Sequence, residues 1–219
     1  MTTYHSLLEH LNARKVKLVA VSKTKPTEMI MDLYRDGQRI FGENRAQEMA
    51  SKHELLPKDI EWHMIGHLQK NKVKYIAPFV TMVESCDSLR LLQTIEKEAA
   101  KNDRTIDILL QMRIAKEETK YGMTLPEVKS LLDSEDYSEM QHIRVKGVMG
   151  MATFTDNLEQ VRSEFKVLKK AFDVLKIQYF QDDPNFSEIS MGMSGDYKLA
   201  IEEGSTMVRI GSLLFGARN

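Results

Sequence analysis

The chain of 219 residues has one cysteine, Cys86, so no intrachain disulfide is possible and no paired spacing suggests a metal knuckle. Charge of one sign is equally absent, with 31 lysines and arginines against 32 aspartates and glutamates and a net charge of −1. That balance removes the argument for a nucleic-acid or acidic-surface partner, which needs a basic stripe. A hydrophobic fraction of 42% with near-zero net charge also excludes disorder. No run reaches the ~18 apolar residues of a membrane span. The opening Met1-Thr2-Thr3-Tyr4-His5 is polar and leads into no signal-peptide stretch. These absences predict a soluble cytoplasmic protein with neither nucleic-acid nor membrane partners.

No linker, charge block or low-complexity tract divides the chain, so residues 1–219 are expected to form a single domain. What recurs is a short apolar run followed by a helical pattern. The runs are Lys17–Val21, Arg39–Phe41, Glu61–Ile65, Phe79–Val83, Ile106–Met112, Val145–Met149, Glu188–Ser190 and Met207–Ile210. Between them lie apolar residues at helical spacing, such as Leu89, Leu92, Ile95 and Ala99, or Val161, Phe165, Leu168, Phe172 and Leu175. Ser88 and Pro126-Glu127 mark helix starts, and Gly37 and Gly204 mark helix ends. Eight strands alternating with about eight helices predict a parallel α/β sheet. The natural closure is a single-domain (β/α)8 TIM-type barrel at about 27 residues per unit; an open doubly wound sheet is the competing arrangement.

A barrel carries its chemistry where strands end. The residues there are Ser22-Lys23, Gly42-Glu43-Asn44, Gly66-His67, Gly150-Met151-Ala152-Thr153, Met191-Gly192-Met193-Ser194-Gly195 and Gly211-Ser212. Two small-residue turns at adjacent strand ends, one with the Ser194 hydroxyl and one at Gly211-Ser212, suit an anion. Taken singly, each is an ordinary turn. Alternation puts Lys23 on the face of Val19 and Val21, where desolvation would favour a nucleophilic amine. A solvated strand-end lysine is the default for such a residue, and Lys25 is its local rival. Arg209, within an apolar strand, needs an anion, a ring nitrogen, or an internal partner such as Glu43 or another barrel acid. His63 and His67 lack a third ligand at suitable spacing, which argues against zinc. Neither a nucleophile elbow nor a Walker A or dinucleotide glycine fingerprint occurs. The fourteen methionines, Met149/Met151 and Met191/Met193 among them, read as core filling.

Five blocks, in order along residues 17 to 216, carry a resemblance. They are Lys17 to Pro26, Phe41-Gly42-Glu43-Asn44 with Gln47-Glu48, Trp62 to Lys72, Ser190 to Ser194 with Asp196, and Gly204 to Gly216. The sequence resembles the pyridoxal phosphate homeostasis family, the YggS-type proteins. The resemblance implies a barrel like the alanine racemase N-terminal domain, holding pyridoxal 5′-phosphate. Lys23 matches the family lysine that forms the internal aldimine. Ser194, the Met193 backbone and Gly211-Ser212 match the phosphate cradle; Arg209 matches the arginine facing the pyridine nitrogen, and Asn44 a residue beside the ring. It also implies a helix over the barrel bottom, which the short segment before the first strand would abbreviate. Glu118-Thr119-Lys120-Tyr121-Gly122 is similar to a family loop near the mouth, without an assignable role for Lys120.

An arginine at the pyridine nitrogen would keep that nitrogen unprotonated and the ring a weak electron sink, which disfavours transamination and decarboxylation. Racemisation needs a second base, which the resemblance places on another domain, beyond where Arg218-Asn219 ends this chain. The expectation is therefore a monomeric carrier that stores, buffers or delivers pyridoxal phosphate, with apo-enzymes as recipients and little catalysis of its own. Two alternatives are a pyridoxal-phosphate-dependent amino-acid racemase using Tyr121 or His63 as second base, and a Schiff-base aldolase acting on a sugar phosphate.

Overall fold

A computed structural model describes residues 2–115 and 121–216; the expected mouth loop at residues 118–120, Lys120 included, lies outside the described residues. Eight parallel strands close in sequence order, β1 beside β2 and onward, with β8 returning to β1. They are β1 Lys17–Val21, β2 Ile40–Glu43, β3 Glu61–Met64, β4 Met82–Cys86, β5 Ile106–Met112, β6 Ile143–Gly150, β7 Glu188–Met193 and β8 Met207–Ile210. The expected closed barrel is present, and the open sheet is not.

The helices among the described residues are α1 Thr2–Asn12, α2 Thr27–Arg35, α3 Ala46–Leu55, α4 Val73–Ile76, α5 Leu89–Lys101, α6 Leu125–Leu132, α7 Glu135–Ser138, α8 Leu158–Tyr179, α9 Tyr197–Glu202 and α10 Ser212–Phe215. Their starts follow capping chemistry. Ser88 accepts the Leu91 amide ahead of α5, and Thr124 with Glu127 forms a reciprocal capping box ahead of α6. Gly37 and Gly204, at φ +100° and +95°, supply the left-handed residue that closes α2 and α9. The segment ahead of β1 forms a helix of 11 residues, whose Tyr4, Leu7 and Leu11 pack on outward-facing Leu18, Val208 and Ile210.

Five strands differ from their sequence expectation: the third stops at Met64, the sixth runs from Ile143 to Gly150, and the other three differ for identifiable physical reasons. The fourth starts at Met82 rather than Phe79, because the Phe79 and Val80 amides both donate to the Ile76 carbonyl at the end of α4. It then runs on through Glu84, Ser85 and Cys86, past the apolar run. The second extends through Gly42 and Glu43, since Gly42 lies in the ladder opposite His63. A Cβ at Gly42 would meet Val19 Cγ1 at 2.8 Å, so glycine is a packing requirement there rather than a turn. The seventh reaches Met193, with a register irregularity between Ser190 and Met193 and Gly192 at φ +95°.

Side chains alternate between the barrel interior and the helical shell. Val19, Met82, Leu109, Met149 and Met207 form an apolar plug inside the barrel. Two residues further along the chain stand Val21, Glu84, Gln111, Met151 and Arg209, one step closer to the mouth and, at Met151, just past the strand end. The interior therefore turns from apolar to polar toward the mouth.

Candidate functional site

A cavity of about 750 Å³ opens at the C-terminal ends of the strands. Lys23, Asn44, Met193, Ser194, Arg209, Gly211 and Ser212 all line it, so every site residue expected from the sequence converges on one space. Its volume falls within the ~300–1,000 Å³ usual for small-molecule pockets. Lys25, Gln111, Tyr121, Phe154 and Asp196 complete much of the wall.

The lysine loop, residues 22–26, joins β1 to α2. Lys23 is half-buried on the cavity wall. Its rival Lys25 also lines the cavity, but the Lys25 ammonium donates to the Phe215 carbonyl at 3.0 Å, tying the loop to α10. Between them Thr24 sits at φ +62°, a left-handed conformation that costs a β-branched residue on the order of 1–3 kcal/mol. Its amide donates to Glu48 Oε1 at 2.6 Å.

Behind this loop lies a buried cluster between the barrel and α3. Lys52 Nζ donates to Glu43 Oε1 at 2.7 Å, Glu48 Oε1 at 2.7 Å and the Ser22 carbonyl at 2.9 Å. Ser22 Oγ adds a 2.7 Å bond to Glu43 Oε1, while Glu43 Oε2 is buried with no partner. Burial pushes the Glu43 carboxyl above the usual carboxylate range, outweighing the attraction of Lys52. Glu43 is therefore not the partner of Arg209.

The acid that serves Arg209 is Glu84, inside the barrel. Arg209 donates to Ser190 Oγ at 2.6 Å and to the Gly150 carbonyl at 3.0 Å, and lies 3.8 Å from Glu84 Oε2. Ser190 Oγ donates onward to Glu84 Oε2 at 2.6 Å, and His63 Nδ1 holds Glu84 Oε1 at 2.8 Å. Burial alone would raise the Glu84 carboxyl; the His63 hydrogen bond, attraction to His63 and Arg209, and the Ser190 hydroxyl bring it below its ordinary value. Arg209 itself is 4% exposed, and burial lowers its pKa against the pull of Glu84 and Asp196. A guanidinium stays charged even so, and a cation fixed in the cavity floor is the result.

Beyond the ends of β7 and β8 the Gly211 amide donates to Ser194 Oγ at 3.2 Å, linking the two small-residue turns. Asp196 Oδ1 accepts the Met193 amide at 2.6 Å. Burial raises the Asp196 carboxyl, with the Met193 amide and Arg209 opposing. Gly66 lets the Asn44 backbone approach, since a Cβ there would stand 2.6 Å from the Asn44 carbonyl.

Of the two second-base candidates, Tyr121 reaches the cavity and stacks on the His67 ring at 4.0 Å. His63, 2% exposed and bound to Glu84, lies within the barrel rather than among the residues lining the cavity. Sequence reasoning did not single out Glu84 or Lys52, and it quoted Ser190 within a matched block without giving it a role. Glu84 was detectable as a carboxylate flanked by Met82, Val83 and Cys86. Lys52 gave no comparable signal, because a lysine four residues after a glutamate is usual on any solvated helix.

Comparison with known proteins gives a consistent picture. The profile of the family described as "Alanine racemase, N-terminal domain" matches residues 3–219. The pyridoxal phosphate homeostasis protein of Aquifex aeolicus is 42% identical over 203 residues, covering 92% of this chain and 87% of that protein. Among solved structures, PipY of Synechococcus elongatus without PLP superposes with a TM-score of 0.90 at 32% identity, over 98% of this chain and 99% of PipY. PipY with PLP bound gives 0.83 over 92% and 93%. An alanine racemase of Clostridium difficile gives 0.74 at 15% identity, over 96% of this chain and 58% of the racemase, a likeness of fold alone.

Proposed function

This chain belongs to the alanine racemase N-terminal domain family, within the branch of the pyridoxal phosphate homeostasis proteins, and we propose that it binds pyridoxal 5′-phosphate to store, buffer or deliver it. One observation carries the site assignment: the seven residues matched to the family motifs, scattered from Lys23 to Ser212, line a single cavity. The donor set suits the cofactor. A half-buried primary amine, a buried guanidinium and a pair of linked small-residue turns face one space of suitable volume.

When bound, pyridoxal phosphate supplies an aldehyde that condenses with a primary amine and a ring that withdraws electrons. Lys23 supplies the amine. Ser194, the Met193 backbone and Gly211-Ser212 would hold its phosphate, and Asn44 would face its ring. Arg209, held by Ser190 and the Gly150 carbonyl, presents a fixed cation that disfavours a second positive charge on the ring nitrogen. That arrangement favours retention of the cofactor over carbanion chemistry. The protein in this reading is a monomeric cytoplasmic carrier that passes the cofactor to apo-enzymes; among the described residues no helix is long and apolar enough to cross a membrane.

The test is the visible spectrum of the purified protein before and after borohydride, alongside Lys23→Ala. A violet-region band, bleached by borohydride and lost at least tenfold in Lys23→Ala, is expected. A protein that stays colourless after added pyridoxal phosphate would overturn the assignment and leave an aldolase lysine as the better reading. Tyr121 on the cavity wall keeps one enzymatic alternative open to the same preparation, since solvent-proton exchange at the α-carbon of added amino acids would identify a racemase.

A further inference from the structure

We propose that Lys52 and Glu48 are positioning residues for Lys23, acting through the backbone on either side of it. The proposal rests on the reading of Lys23 as the cofactor amine. It is carried by the way the two residues grip that loop.

Both neighbours of Lys23 are fixed from the same helix. Lys52 holds the carbonyl of Ser22 at 2.9 Å, and Glu48 holds the amide of Thr24 at 2.6 Å. Lys52 and Glu48 are in turn bonded to each other at 2.7 Å, one helical turn apart on α3. The loop cannot slide or rotate about Lys23 without breaking one of these bonds. Neither residue is among those lining the cavity, so neither reaches a ligand there.

The cluster is built for this purpose rather than for packing. An ammonium has three N–H donors, and Lys52 directs them at Glu43, Glu48 and the Ser22 carbonyl. Its side chain is 8% exposed, at a site where an apolar residue of similar volume would avoid the desolvation cost of the charge. What an apolar residue could not do is bind the Ser22 carbonyl. The left-handed Thr24 points the same way: a β-branched residue holds φ +62° only where its surroundings over-determine it, and the Glu48 bond to its amide is one such constraint. Released, Thr24 would return to the extended region and turn the preceding side chain away from the cavity wall. Geometry held by supporting groups outside the site is how a reacting group is kept within reach of its ligand.

The experiment measures two rates at Lys23 in wild type, Lys52→Met, Lys52→Arg and Glu48→Ala. One is capture of added pyridoxal phosphate, read as growth of the borohydride-sensitive band. The other is reductive methylation by formaldehyde and cyanoborohydride, read at Lys23 by peptide mass spectrometry. Lys52→Met is expected to slow capture at least tenfold while speeding methylation of Lys23 at least threefold, toward the rate of exposed lysines such as Lys70. Lys52→Arg should recover part of the capture rate, and Glu48→Ala should shift both rates in the same opposed directions by less. General loosening of the fold would not move the two rates in opposite senses. Both rates unchanged, or both lowered, in a folded variant overturns the proposal. If Lys52→Met fails to fold, Glu48→Ala decides, because Glu48 sits at the exposed edge of the cluster. If wild type captures no cofactor, the cofactor reading fails by itself and methylation of Lys23 decides the positioning role.

Discussion

Two buried clusters, one on each side of the barrel wall, use nearly the same parts to opposite effect. Inside, Glu84 sits among His63, Ser190 and Arg209. Outside, Glu43 sits between Ser22 and Lys52. Each is a 0%-exposed carboxylate with a serine hydroxyl and a cation, yet the Glu84 carboxyl falls below its usual range and the Glu43 carboxyl rises above it. Both Glu84 oxygens are engaged, whereas both bonds to Glu43 fall on Oε1 and Oε2 has none. Burial raises both acids and each accepts two side-chain hydrogen bonds; Glu84 is drawn down by His63 and Arg209 together, whereas Glu43 has Lys52 alone and the repulsion of Glu48 against it.

The largest test of that contrast is Glu84→Ala. It leaves Arg209 and His63 buried without their acid, and breaking a buried pair from one side costs about 3–5 kcal/mol. Denaturant unfolding should show a loss in that range, together with weakened cofactor uptake as Arg209 loses its brace. A loss under about 1 kcal/mol would mean that Ser190 and the Gly150 carbonyl satisfy Arg209 alone.

Next comes the dependence of stability on pH, which should have opposite slopes for the two acids. Glu84 has a folded pKa below its unfolded one, so its stabilisation is present above the unfolded value and is lost as pH falls through the folded one. Glu43 is the reverse. Between the unfolded carboxylate value and its raised folded one, the native state binds more protons, and stability declines as pH rises through that window. Glu84→Gln should therefore remove part of the acid-side loss, and Glu43→Gln part of the decline above the carboxylate range. Unfolding free energies measured across pH 3–7 for both variants check the signs; parallel changes would contradict the contrast.

The same two clusters show what a sequence discloses. The barrel was legible because eight apolar runs alternate with helical periodicity, and the mouth because small residues and single cations follow those runs. Lys23, Arg209 and Ser194-to-Ser212 stand at strand ends, where position along the chain translates directly into position in space. Strand boundaries failed at Gly42 and Gly192, where glycine serves close packing or an irregular ladder instead of a turn. The partners of Arg209 were not legible, because Glu43 and Glu84 both end up buried beside the barrel wall and only closure decides which faces in. Lys52 was less legible still, since its role depends on the Ser22 carbonyl 30 residues away.

The smallest expected effect separates the two serines. Ser190 Oγ both donates to Glu84 and accepts from Arg209, so it couples acid to cation. Ser22 Oγ only donates, to Glu43 at 2.7 Å, with the Gly42 carbonyl 3.5 Å away as a poor second acceptor. Ser22→Ala thus removes one hydrogen bond to a carboxyl that Lys52 still holds and that burial already favours in its neutral form. The expected cost is about 1 kcal/mol in denaturant unfolding, the ordinary net value of one hydrogen bond. Capture of pyridoxal phosphate at Lys23 should stay within about twofold, because Lys52 binds the Ser22 carbonyl and not its hydroxyl. A tenfold fall in capture would instead place the hold on the Lys23 loop at the Ser22 side chain and Glu43, and would take it away from the ammonium.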